Sequence, residues 1–135
     1  MNIHIQVDSR RRCQFINITS RVKEAVCSAA VDEGACTVFV PHTTAGVTIN
    51  ENADPSVVRD MLMELEKIVP FDDGYDHREG NSAAHIKASL MGSSVRLIVE
   101  HGQLSLGTWQ GIYFCEFDGP RRRTVQIQVI GAAAS

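Results

Sequence analysis

The stretch Thr108-Trp109-Gln110-Gly111-Ile112-Tyr113-Phe114-Cys115-Glu116-Phe117 constrains the fold more than any other part of the chain. Read as a strand, it points Trp109, Tyr113, Cys115 and Phe117 one way and Gln110, Ile112, Phe114 and Glu116 the other. A strand with one wet face alternates apolar and polar residues, and here both faces are mostly apolar. Such a strand lies in the middle of a layered fold, or packs one face against another subunit. Glu116 on a largely apolar face needs a partner, because an unpaired buried carboxylate is costly. Arg121, Arg122 and Arg123 follow closely enough to supply one, and a role in a site is the competing explanation. Cys36-Thr37-Val38-Phe39-Val40 makes a similar demand: a short, nearly all-apolar run is expected of a strand buried on both faces.

Around these two runs the remaining elements fall into place. Residues 2–8 and 13–19 alternate, and the Asp8–Arg12 stretch between them reads as the turn of a hairpin. The spacing of Val22, Ala25, Val26, Ala29 and Ala30 predicts a helix over 20–33, capped by Thr19 or Ser20 and stopped by Gly34. Residues 45–50 read as extended. Asp54-Pro55 announces a second helix, with Asp as the N-cap and Pro at the first helical position. A polar loop over 71–81 leads to a third helix from Asn81 or Ser82 to about Met91, where Gly92 stops it. Strands at about 94–100, 108–117 and 123–130 close the chain. The order implies an α+β fold, a compact β-sandwich-like sheet system with about three helices, as a single domain over 1–135 with 132–135 a short tail.

Bulk properties exclude several classes. Thirteen Lys and Arg against sixteen Asp and Glu give a formal net charge of −3, which argues against a nucleic-acid binder or an anionic-membrane binder. The basic cluster Arg10-Arg11-Arg12 reads as a solvated turn. No apolar run approaches the ~20 residues of a membrane span, the first residues alternate like a strand rather than a signal peptide, and a cytoplasmic location is expected. Cys13, Cys27, Cys36 and Cys115 are scattered without a CxxC pair, so a zinc knuckle and a thioredoxin-type motif are both absent. A Walker A loop, a GxGxxG fingerprint, an HExxH motif and a GxSxG elbow are absent too.

The residues suited to chemistry are His42, His77 and His85, each in a polar or turn-forming setting with carboxylates nearby. His42 directly follows a strand end, where a rigid scaffold can present a reactive group; a turn histidine bonded to backbone is the plainer reading. His85 lies one turn into its helix, where the positive end of the macrodipole favours a neutral ring. By spacing alone the three make a weak metal signal. Thr43 and Thr44 suit phosphate oxygens or a stiff turn. Glu51 and Asn52 sit between a strand and a helix cap, with no evident structural reason, whereas Asp54 has one as the cap itself. His4 and His101 read as structural or solvent-facing.

Four ordered blocks resemble the YjbQ-like family (UPF0047), also catalogued as secondary thiamine-phosphate synthase. They are Pro41-His42-Thr43-Thr44-Ala45 running through Thr48-Ile49-Asn50-Glu51-Asn52-Ala53-Asp54-Pro55; Tyr75-Asp76-His77; Ala84-His85-Ile86-Lys87-Ala88-Ser89-Leu90-Met91-Gly92; and Leu106-Gly107-Thr108-Trp109-Gln110-Gly111-Ile112 continuing to Glu116-Phe117-Asp118-Gly119-Pro120-Arg121. The match spans essentially residues 13–130. The resemblance implies a homotrimer with a pocket between subunits, a divalent metal on His42, His77 and His85, and a small phosphorylated metabolite as substrate. It places Glu51, Asn52, Asp54 and Glu116 near the pocket as catalytic groups. Thr43, Thr44, Lys87, Gln110 and Arg121 would bind substrate. The implied activity joins hydroxymethylpyrimidine diphosphate to thiazole phosphate and releases pyrophosphate. Three imidazoles favour zinc, whereas diphosphate chemistry usually uses magnesium. Two other readings stand beside it: a metal-dependent hydrolase of a phosphorylated or damaged metabolite, and a non-catalytic metabolite- or metal-binding trimer.

Overall fold

A computed structural model describes residues 1–133. In chain order the elements are β1 (Asn2–Asp8), β2 (Gln14–Asn17), α1 (Thr19–Ala29), β3 (Val31–Phe39), β4 (Ala45–Glu51), α2 (Pro55–Ile68), α3 (Ser82–Met91), β5 (Ser94–Glu100), β6 (Gln103–Leu104), β7 (Gln110–Glu116) and β8 (Arg122–Ala133). The strands form two antiparallel sheets, one ordered β1-β8-β3-β5-β6 and one ordered β2-β7-β4. The result is a single-domain α+β fold with three helices.

The central position of β7 explains its two apolar faces. Ile112 and Phe114 enter the main core with Val22, Val38, Val47, Val99 and Ile127. Tyr113, Cys115 and Phe117 enter a second core with Phe15, Leu65, Ala84 and Ala88, under α2 and α3. One strand therefore joins both cores, and each face is covered within a single chain. Burial pushes the Cys36 thiol up to about 11 and raises that of Cys115 as well, so both are inert core thiols.

The strand expected to be buried on both faces is buried on one. Cys36, Val38 and Val40 enter the core, while Phe39 stays 39% exposed. Across the same outer surface, Ala35 pairs with both Ile98 and Ile130, and those isoleucines are 61% and 62% exposed. The second apolar face of β3 thus belongs to an uncovered row across the large sheet.

The expected hairpin over 2–19 does not form. β1 pairs with β8, and β2 pairs with β7 in the other sheet. The Asp8–Arg12 segment crosses between sheets and is held by the 119–121 turn through Ser9 N to Arg121 O and Gly119 N to Arg12 O. Helix α1 is shorter than its periodicity predicts, ending at a left-handed Ala30 rather than Gly34. Gly34 lies inside β3 opposite Gly131, where a Cβ would run into the backbone of Ile130 and Gly131. Its role is close approach of two strands. Neither Thr19 nor Ser20 caps α1: Thr19 Oγ1 donates to Asn17 Oδ1 and accepts from Ile112 N. The supposed tail also differs, since Ala132 and Ala133 extend β8 against Glu33 and Val31; residues 134–135 lie outside the described part. The second and third helices keep their predicted bounds, with Asp54 Oδ1 accepting from Ser56 N and Gly92 taking a φ of 94°, but the expected cap of α3 does not form, because the Asn81 amide turns to Asp118.

Candidate functional site

Pro41 ends β3, having no N–H to continue the ladder, and the next residue, His42, turns toward β8. Its Nε2 accepts a hydrogen bond from Thr124 N at 3.0 Å. Burial, and then the neighbouring Arg123 charge, hold the imidazole below its ordinary pKa against that backbone bond. With Nε2 occupied as an acceptor, the neutral ring carries its proton on Nδ1.

Thr44 and Arg123 form the floor behind it. Arg123, 4% exposed, donates through Nη2 to Thr44 Oγ1 at 2.8 Å and through Nε to Glu116 Oε1 at 2.9 Å. Glu116 is fully buried. It also accepts from Ser9 Oγ at 2.7 Å and Asp118 N at 3.0 Å. Burial pushes the Glu116 carboxyl up, but the hydrogen bonds from Arg123, Ser9 and Asp118 outweigh it and hold it below the usual range. Glu116 is thus a saturated structural anion beneath the site, and it holds the guanidinium that reaches the cavity wall.

The opposite wall comes from the 71–81 loop and α3. The His77 and His85 rings meet edge to face with centroids 5.5 Å apart. Asn81, preceding α3, donates Nδ2 to Asp118 Oδ2 at 2.9 Å. The same carboxylate oxygen accepts from Arg121 Nη2 at 2.8 Å, and Asp118 O accepts from Arg121 Nε at 2.7 Å. His42, Thr43, Thr44, His77, His85 and Arg121 all line one cavity of about 750 Å³, and Glu79, Asn81, Asp118 and Arg123 line it as well. That size accommodates a small metabolite.

The other sequence candidates lie elsewhere. Lys87, 3% exposed, points toward α2 and pairs with Glu66 Oε2 at 2.6 Å. Gln110 folds back so that its Oε1 accepts from Gly107 N. Glu51 closes β4 and Asn52 follows it, at the end remote from Thr44, where Tyr113 Oη donates to Glu51 O and Asn52 N to Trp109 O. Glu51 lies at the far end of the seven-residue strand from Ala45, about 20 Å away at the usual rise. Asp54 is occupied as the cap of α2, its carboxyl depressed by the Ser56 hydrogen bonds.

A resident metal ion on the three histidines is not matched by their arrangement. Among the described residues, no three His, Cys, Asp or Glu groups come together closely enough to hold one, and His42 Nε2 is already engaged. The cavity can instead surround an anion with the Arg121 and Arg123 cations and with hydroxyl and imidazole donors. Arg123, Asn81 and Asp118 were not legible as site residues. The demand of Glu116 for an arginine was the one signal pointing to Arg123, while Asn81 and Asp118 read simply as a helix start and a turn.

Residues 3–132 match the family model of the UPF0047 YjbQ-like proteins. The chain is similar to the UPF0047 protein YugU of Bacillus subtilis, 50% identical over 128 residues that cover 94% of this chain and 97% of that one. A UPF0047 protein of Methanocaldococcus jannaschii is 48% identical over 93% of this chain and 91% of its own length. Among solved structures, a YjbQ/UPF0047-family protein of Clostridium acetobutylicum superposes with a TM-score of 0.94 at 58% identity, covering 95% of this chain and 99% of that one. A YbjQ-like protein of Sulfolobus solfataricus gives the same TM-score at 29% identity, covering 97% and 96%. These names give the family and no activity.

Proposed function

Because the chain belongs to the UPF0047 family of YjbQ-like proteins, we propose that it is an enzyme acting on a small phosphorylated metabolite in the cavity of His42, His77 and His85. The reaction we propose is of the thiamine-phosphate-synthase type, joining hydroxymethylpyrimidine diphosphate to thiazole phosphate. The observation that carries this reading is the cavity lining itself, with Arg121, Arg123, Thr43, Thr44 and three imidazoles around one space.

The chemistry asks for what those groups supply. The bond between the pyrimidine methylene and the diphosphate oxygen breaks, its electron pair leaves with the pyrophosphate, and the thiazole nitrogen forms the new bond to carbon. No base is needed; the demand is for charge stabilisation on the leaving oxygens, usually the largest catalytic contribution of such sites. Arg121, held by Asp118, is the exposed cation. His42 offers an Nδ1–H donor as a neutral ring. A divalent ion would enter with the diphosphate, whose oxygens are the customary ligands of magnesium.

We expect purified protein to form thiamine phosphate from the two precursors, and Arg121→Ala to reduce the rate at least a hundredfold. No product above the variant's background overturns the synthase reading. Metal analysis adds a separate check. Well under one tightly held transition-metal ion per chain is expected; one zinc per chain, lost in His42→Ala, His77→Ala and His85→Ala alike, contradicts a cavity that works through its own donors.

The pairing of His77 with His85 favours one second reading. Neither ring donates or accepts a hydrogen bond from its side chain in the described network, so either could take a proton from water in a hydrolase. Release of inorganic phosphate from phosphorylated metabolites, without synthesis, supports it. Saturable binding with no turnover supports a binding-only protein.

The proposal includes a homotrimer. The row of Ile98, Ala35 and Ile130 leaves apolar surface uncovered in one chain, and a second copy is the partner we assign to it. A neighbouring subunit is also what would bring Glu51, Asn52, Asp54 and Gln110 to a cavity that they do not reach within their own chain.

A further inference from the structure

The segment from Asp76 to Gly80 hangs between two anchored ends. On its upstream side, Phe71 N donates to Glu66 Oε1 at 2.9 Å, and the Arg12 guanidinium lies over the Phe71 ring, 3.8 Å from its centroid. Tyr75 Oη donates back to Pro70 O at 2.7 Å. On its downstream side, Asn81 is buried and donates Nδ2 to Asp118 Oδ2. Between these anchors all five residues are exposed. Among the described residues, their one hydrogen bond is internal, from Gly80 N to His77 O at 3.1 Å. The edge-to-face meeting of His77 with His85 is the aromatic contact that ties the segment to the body of the chain.

Space lies on both sides of it. His77 and His85 line the cavity described above, and both also line a second recess of about 410 Å³ with Tyr75, Asp76, Ser82 and Ile86. The segment has joints as well. Gly80 takes a φ of 75°, a conformation that glycine adopts without strain. At neither Gly80 nor Gly74 would a Cβ meet any atom within 4 Å, so close packing is not what these glycines serve. A backbone without bonds to its surroundings, with room on either side and a glycine near each end, moves at little cost.

We propose that Asp76–Gly80 is a lid over the cavity, turning about Gly74 and Gly80, and that it closes on a bound phosphoryl group by bringing His77 to donate to it. A ligand shifts such an equilibrium only by binding one state better than the other, and the imidazole contact is what the closed state adds. The Asp76 and Glu79 carboxylates oppose an anion under the lid, while Arg78 favours it. That balance keeps closure reversible and lets product leave. Closing also sheds water from the cavity, which strengthens the contacts of Arg121 with the anion. The inference rests on the phosphoryl-binding reading above and adds a moving part to it.

Arg78 reports on the lid directly, because trypsin cuts after arginine and this one is exposed at the middle of the segment. The test is limited trypsin digestion of the full chain with and without inorganic pyrophosphate, whose binding is measured in parallel by calorimetry. Saturating pyrophosphate is expected to slow cleavage after Arg78 about tenfold or more, since proteolysis follows the population of the open form. Cleavage after Arg10, which lines no part of the cavity, should change by less than about twofold, because its segment takes no part in closure. Pyrophosphate that binds without protecting Arg78 overturns the lid and leaves the phosphoryl reading standing. Equal slowing at both sites does the same, being the mark of overall stabilisation. Amide hydrogen exchange checks the segment without any ligand. His77, Arg78 and Glu79 are expected to exchange about a hundredfold or more faster than Val69, whose amide donates to Leu65 O just before the loop; equal protection overturns the proposal. If pyrophosphate does not bind, the phosphoryl reading falls and closure upon it falls too.

Discussion

Glu116 shows how a buried anion can support a site without touching a ligand, by holding the Arg123 guanidinium at the cavity wall. Each is all but inaccessible, and every strong contact of the carboxylate is to a named donor. Removing one partner strands the other charge, which typically costs about 3–5 kcal/mol; Glu116→Gln is therefore expected to lower the free energy of urea unfolding by about that amount at pH 7. The sign of the pH dependence follows from the depressed carboxyl. Its stabilisation is present above the unfolded value of 4.5 and is lost as pH falls through the lower folded value. The gap between wild type and Glu116→Gln should narrow below about pH 4.5, and a gap that stays constant contradicts the pairing. His42 adds a second, gentler slope. Its depressed folded pKa means that the unfolded chain binds the proton more readily, so stability declines as pH falls below 6.5, and His42→Gln should remove that part of the decline. At this scale the sequence spoke clearly about need and poorly about partner. A glutamate on an apolar strand required an arginine, but which of the three would reach it depended on which residues of β8 face inward, and Arg123 shares that face with Val125, Ile127 and Val129.

The elements divide into those fixed locally and those fixed by distant partners. Helices α2 and α3 carry their own start and stop chemistry in Asp54-Pro55 and Gly92, so their bounds were legible. The hairpin was not, because β1 and β2 go to β8 and β7, more than a hundred residues away in the case of β1. Gly34 misled for the same reason: its tight neighbour, Gly131, arrives only with the last strand. Helix α3 has two working sides. His85 faces the cavity, while Lys87 is buried toward α2, where Glu66 pairs with it and also accepts from Phe71 N at the start of the histidine-bearing loop. The hydrogen bond from Lys87, above all, holds the Glu66 carboxyl below its usual range. Lys87→Met keeps the apolar stem and removes the charge. It should cost about 1 kcal/mol, the partner carboxylate being half exposed and screened. Pyrophosphate affinity should change less than threefold; a loss of tenfold or more would place Lys87 in the binding site after all.

At the scale of the molecule, two sheets and three helices cover β7 on both sides yet leave the outer face of the large sheet open at Ile98 and Ile130. Burying each of those side chains against a second copy is worth about 1.5–3 kcal/mol. Ile130→Lys should therefore convert a trimer to single chains in light scattering, and a wild type already monomeric contradicts the proposed assembly. The family was legible from four ordered blocks, because motif order survives where spacing alone is uninformative. The gathering of His42, His77 and His85 around one cavity depends on a strand end, a loop and a helix that only the fold brings together. On the proposed function, this cavity holds a phosphoryl group by its own cations and donors. Titration with inorganic pyrophosphate tests it most directly, wild type beside His42→Ala and Arg121→Ala. Saturable binding is expected in the wild type and at least tenfold weaker binding in each variant; no binding in the wild type, or equal binding in all three, contradicts a phosphoryl site in this cavity.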